Sequence, residues 1–120
     1  MRDDTYKLRS IFLQPTTTSR EVVYTCPANN TAVLVSMILS NDTVGPDSIL
    51  IEQYHASHTE YHNVYVGSVP GKDSLTVMDS ILMVLEAGDQ IVMTVATANT
   101  VAMTGVIKEY FGVARGPLGT

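Results

Sequence analysis

A chain of 120 residues suits one domain with its own core and is short for two, and a single cysteine, Cys26, excludes an internal disulfide framework. Twelve acidic against seven basic residues leave a net charge of -5, which argues against a duplex nucleic-acid surface, because that needs clustered Lys and Arg. Charged residues make only 16% where roughly 25% is usual, while Val, Ile and Thr supply 36 of the 120 residues, so composition favours pleated sheet over helix.

Met1-Arg2-Asp3-Asp4 carries acid where a secretory leader carries only positive charge, and Ile11 to Leu13 is too short an apolar run for one. Tyr6 to Leu13 reads as a first extended segment and Gln14 to Ser19 as a polar connection. Residues 1–20 together are expected to form an N-terminal arm. The domain proper, residues 21–112, opens with a strand from Glu21 to Cys26, closed by Pro27, which has no amide to donate to a ladder. Pro27 to Asn30 supplies turn chemistry.

Ala32 to Ser40 is the clearest strand. Its apolar part, Ala32 to Leu39, spans eight residues against the about 20 of a membrane helix, so no membrane partner is expected. Strands follow at Ser48 to Tyr54 and, after a His- and Tyr-rich stretch, at Thr59 to Val66. A turn at Val69 to Asp73 leads to short strands at Leu75 to Met78 and Ile81 to Leu85. Glu86 to Asp89 is a tight connection into Gln90 to Ala98, and Asn99-Thr100 is a hairpin tip before Val101 to Phe111. Residues 113–120 are a glycine-containing tail. Eight or nine short strands at roughly 8–12-residue intervals predict an all-β fold, an antiparallel β-sandwich of jelly-roll-like form.

The strands are apolar on both faces. In Ala32 to Ser40, alternation puts Val33, Val35, Met37 and Leu39 on one face and Ala32, Leu34, Ser36 and Ile38 on the other. Gln90 to Ala98 turns Ile91, Met93 and Val95 inward and Val92, Thr94, Ala96 and Ala98 outward. The last strand sets Ala102, Thr104 and Val106 opposite Val101, Met103 and Ile107. A monomer rarely leaves such faces wet, so Val33, Leu34, Val35, Ile38, Val92, Thr94, Ala96, Thr104 and Val106 are expected at an oligomer interface. The alternative is a sheet covered by the chain's own arm and tail.

Constellations that carry chemistry are weak. His55, His58 and His62, with Glu52 and Glu60 near, have three possible zinc ligands without a strong spacing, and no metal or other cofactor is expected. Cys26 at a strand end reads as a small buried hydrophobe rather than a nucleophile. Asp42, Asp47, Asp73, Asp79 and Asp89 sit at turns, where Asx-type caps are the common role. No phosphate-cradling glycine loop and no Gly-x-Ser-x-Gly elbow occur, and no enzyme is expected. Tyr54, Tyr61 and Tyr65 offer rings that could stack on sugars, the basis of an alternative reading as a carbohydrate-binding adhesion module.

The run Val22-Val23-Tyr24-Thr25-Cys26-Pro27-Ala28-Asn29-Asn30-Thr31, continuing through the apolar strand to Asn41, resembles small β-sandwich virion proteins of tailed bacteriophages. Leu85-Glu86-Ala87-Gly88-Asp89-Gln90-Ile91 is similar to the turn between their last strands, and the likeness spans residues 22–111. The chain departs from them in having Asn29-Asn30 where glycine is usual, and in Cys26. The resemblance implies a non-enzymatic capsid decoration (cement) protein or a neck or tail component. Its expected partners are itself, as a homo-oligomer with a trimer foreseen, and the major capsid protein or other virion proteins. Tyr6, Leu8, Arg9, Ile11 and Phe12 of the arm are expected to contact the shell.

Overall fold

The computed structural model describes residues 6–78 and 83–111. Its nine strands are β1 (Tyr6–Leu13), β2 (Glu21–Thr25), β3 (Asn30–Asn41), β4 (Asp47–His55), β5 (Glu60–Val69), β6 (Asp73–Met78), β7 (Met83–Leu85), β8 (Gln90–Val95) and β9 (Val101–Phe111). They form two antiparallel sheets, one of five strands in the order β1-β9-β3-β6 with β7 also on β3, and one of four in the order β2-β8-β4-β5. β6 lies beside Leu39 and β7 beside Val33, so the two share one edge of β3. Most connections cross from one sheet to the other, which is the connectivity of a jelly roll. The tail, Asp79 and the start of the expected Ile81 to Leu85 strand lie outside the described residues.

Alternation fills the space between the sheets. Leu34, Met37 and Leu39 of β3 meet Ile49 and Ile51 of β4, Ile91, Met93 and Val95 of β8, and Met103 and Ile107 of β9, all at most 3% exposed. Each such side chain contributes about 1.5–3 kcal/mol of burial. Polar groups enter this layer with partners. Gln53 on β4 donates from Nε2 to the Val84 carbonyl of the facing sheet at 3.1 Å. Asn41 donates to the Gly45 and Val69 carbonyls, both at 3.0 Å, and so ties β3 to the ends of two loops. Tyr24 reaches across from β2 and gives its hydroxyl proton to the Glu109 carboxylate, which is 2% exposed, with the Arg9 guanidinium 3.6 Å away.

Three departures from the sequence reading have physical causes. Residues 6–13 are not an arm: they pair with β9 over their whole length, from Tyr6 with Tyr110 to Leu13 with Met103. Ile11 is therefore a core residue at 6% exposure rather than a shell contact. In β3 the ladder to β9 skips Val35, between Leu34 and Ser36. That bulge reverses the alternation, so Ala32 and Leu34 share the inner side with Met37 and Leu39. Leu34 is fully buried and is withdrawn from the expected interface. β8 ends at Val95, and Ala96 belongs to the loop before β9, its amide bonded to the Ser48 carbonyl at 3.0 Å.

Candidate functional site

The outer face of the five-stranded sheet collects half of the expected interface and arm residues, namely Val33, Ile38, Thr104, Val106, Tyr6, Leu8 and Phe12. Register places them in rows that run across β1, β9 and β3. One row holds Leu8, Lys108 and Val33, extended by Val84 on β7. The next holds Ser10, Val106 and Ser36, and the third Phe12, Thr104, Ile38 and, on β6, Thr76. Tyr6 with Tyr110 closes one end, and Ala102 with Ser40 the other.

Large apolar side chains stand out from this face, with Leu8 62%, Phe12 64%, Val84 51% and Ile38 41% exposed. Among its described residues Lys108 is the only one with a formal charge. Its ammonium lies 4.6 Å from the centre of the Tyr6 ring, which itself packs on Tyr110 at 5.5 Å. The β1 residues Arg9 and Ile11 point to the other side of the sheet, which follows from strand alternation and separates them from Tyr6, Leu8 and Phe12.

The outer face of the four-stranded sheet has a different character. There Val22, Val92 and Glu52 are in register on β2, β8 and β4. Arg20, just before β2, donates from Nε to Glu52 Oε1 at 3.0 Å and from Nη2 to Oε2 at 3.2 Å. To reach β4 it crosses β8, and Val92 beneath it is left 1% exposed. Val92 faces outward as expected but is covered by its own chain, so it offers nothing to a partner. Thr94 lies on this second face opposite Leu50, not with Val33 and Val106.

The Arg20 guanidinium continues to the Tyr61 ring, 3.6 Å from its centre, and Tyr61 packs on Tyr54 at 4.8 Å. One face of Tyr61 is thus occupied by Arg20. Tyr65 is paired with inward Ile51 and packs against the core, so it does not join the other two tyrosines on this surface.

The remaining candidates are accounted for by local structure. His55 and His62 meet edge to face at 5.0 Å, and His62 lies 3.2 Å from Glu60, but no group of three metal-capable side chains assembles among the described residues. Cys26 is 1% exposed, with its sulfur 3.5 Å from the Asn30 carbonyl and 3.7 Å from that of Leu85. Burial, and then the charges of Glu109, Asp89 and Glu86, push its thiol up to about 11, opposite to the shift that activates a nucleophile. Asp47 accepts from the Ser48 amide at 3.0 Å and the Thr97 amide at 3.3 Å. Asp89 accepts from the Ala56 and Glu86 amides, both at 3.0 Å. Both carboxylates are engaged in holding loops. The Arg20 strap and the buried Tyr24–Glu109 pair were not foreseen. Their only sequence trace is a lone acid inside an apolar strand, Glu52 or Glu109, which needs a cation or donor from elsewhere in the chain.

No protein-family model matches the chain, and no curated protein matches it in sequence. Solved structures are similar to it in part. A subunit of Bacillus endospore appendages, described as a novel family of disulfide-linked pili, superposes with a TM-score of 0.52 at 15% identity, covering 89% of this chain and 88% of that one. The carbohydrate-binding and catalytic modules of a Clostridium thermocellum xylanase, bound to xylohexaose, give 0.46 at 9% identity, over 92% of this chain and 23% of that one. Eiger TNF from S. frugiperda gives 0.42 at 10% identity, over 94% and 97%. At these identities the likeness concerns the sandwich alone.

Proposed function

We propose that the chain is a non-enzymatic structural subunit of a tailed-phage virion, a decoration protein of the capsid that assembles with copies of itself on the shell. The observation that carries this reading is the outer face of the five-stranded sheet, with Leu8, Phe12, Ile38 and Val84 exposed and Lys108 its only formal charge among the described residues. A free monomer pays for wetting such a face, and an assembly that covers it is stabilised by mass action as subunits accumulate. The likeness of the Val22 to Asn41 and Leu85 to Ile91 segments to small virion proteins supplies the setting. The fold shared with an appendage subunit is compatible with a building-block role and adds no partner.

Two measurements test the reading. Light scattering on purified protein should show a species larger than 13.0 kDa, and a monomer throughout the micromolar range would overturn self-assembly. Quantitative mass spectrometry of purified particles should count hundreds of copies. A count in the low tens would move the protein to the neck or tail, and its absence from particles would refute the virion role.

A further inference from the structure

Resting on the assembly reading above, we infer that the first partner of the five-stranded face is the same face of a second copy, related by a two-fold axis that lies in the interface and crosses the strands at the Ser10–Val106–Ser36 row. The face spans four strand positions, since β6 and β7 share one, and about five rows. At ~4.8 Å between strands and ~6.8 Å between rows it measures on the order of 600 Å². Two such faces bury about 1,200 Å² in all, the lower bound of a specific interface. With one charge among its described residues, the face has almost no electrostatic address for a foreign partner. A three-fold ring would set this face against a different surface of the next copy, whereas a two-fold axis pairs it with itself, so the inferred order is two rather than the foreseen three.

Lys108 chooses between the two possible axes. An axis along the strands returns each row to itself and exchanges β9 with β3, which brings the two Lys108 side chains onto adjoining positions of one row in a dry layer. Like charges there are costly. An axis across the strands exchanges the Lys108 row with the Thr104 row. The two lysines then lie about four residues apart along β9, ~13 Å, against the ~4.8 Å strand spacing of the other axis, and their repulsion falls with that distance. The same axis sets Leu8 against Phe12 of the partner subunit and Val33 against Ile38 of the partner subunit. Each ammonium stays over its own Tyr6 ring.

Paired charge swaps, read by sedimentation equilibrium with circular dichroism to confirm folding, test this. Leu8, Phe12 and Val84 are exposed, so charging them leaves the sandwich intact. Leu8→Lys and Phe12→Glu should each weaken dimerisation by at least about 100-fold, because every substitution enters the interface twice. The double variant Leu8→Lys/Phe12→Glu should regain the dimer, and Leu8→Lys/Val84→Glu should not. Single variants that dimerise like wild type overturn the proposal and leave self-assembly through another surface standing. Rescue by Val84→Glu instead, or by neither, overturns the axis. A wild-type chain that stays monomeric removes the assembly reading itself.

Discussion

The Tyr24–Glu109 pair allows a quantitative test of how the two sheets are joined. Glu109 is an acid in the middle of the sandwich, 2% exposed, and Tyr24, 7% exposed, is its hydrogen-bond donor from the opposite sheet. Tyr24→Phe keeps the ring and its packing and removes only that donor. Arg9 remains, but at 3.6 Å it is an ion pair at the edge of hydrogen-bond range. A hydrogen bond to a charged group contributes about 1.5–3 kcal/mol, so the substitution should cost about 2–3 kcal/mol.

For 120 residues the unfolding entropy is about 250 cal/mol/K, and that cost lowers the melting temperature by roughly 8–12 °C. Circular dichroism melts at one fixed protein concentration, which holds any coupling to association constant, supply the measurement. Replacing both partners, as in Tyr24→Phe/Glu109→Leu, should cost less than the sum of the single changes, since no buried carboxylate is then left without its donor. A Tyr24→Phe variant within about 0.5 kcal/mol of wild type would refute the reasoning, because Glu109 would then be satisfied without the hydroxyl.

Two further predictions concern titration and packing. Cys26 holds its proton up to about 11 in the folded chain against an ordinary value of 9.0, mainly through burial. A raised folded pKa means that its stabilising contribution is complete below pH 9 and lost as pH climbs toward 11, by up to about 1.4 kcal/mol per pH unit. Tyr24, also raised by burial and then by Glu109, adds its own loss above about pH 10. Cys26→Ala should therefore delay the alkaline fall in melting temperature by about one pH unit, and an unchanged profile would count against a buried, protonated thiol. Gly105→Ala places a methyl 2.7 Å from the Ser36 carbonyl oxygen and 3.2 Å from Ile11, so it should destabilise by about 1–3 kcal/mol, whereas Gly45→Ala, with nothing within 4 Å, should be neutral. Equal melting temperatures for the two variants would contradict the tight β9–β3 contact.

The sequence by itself determined the class of fold and most strand positions, because both follow from local preferences. Apolar runs such as Ala32 to Leu39 are bounded by Pro27, by Asn29 and Asn99 in left-handed backbone (φ 67 and 63), and by Gly88 (φ 88). It also marked Val33, Ile38, Thr104, Val106, Tyr6, Leu8 and Phe12, although as two separate sets. Only the tertiary structure decided that these seven lie on one face. The pairing of β1 with β9 joins residues about a hundred positions apart, and no local pattern encodes such a partner. Only the structure, likewise, decided which apolar residues are hidden. The bulge at Val35 reverses the parity of β3 and takes Leu34 into the core. In a strand apolar on both sides the sequence has no contrast by which to place such a slip. Val92 was lost to the interface for a different reason: a long charged side chain, Arg20, crosses β8 to an acid on β4 and shields the valine on the way.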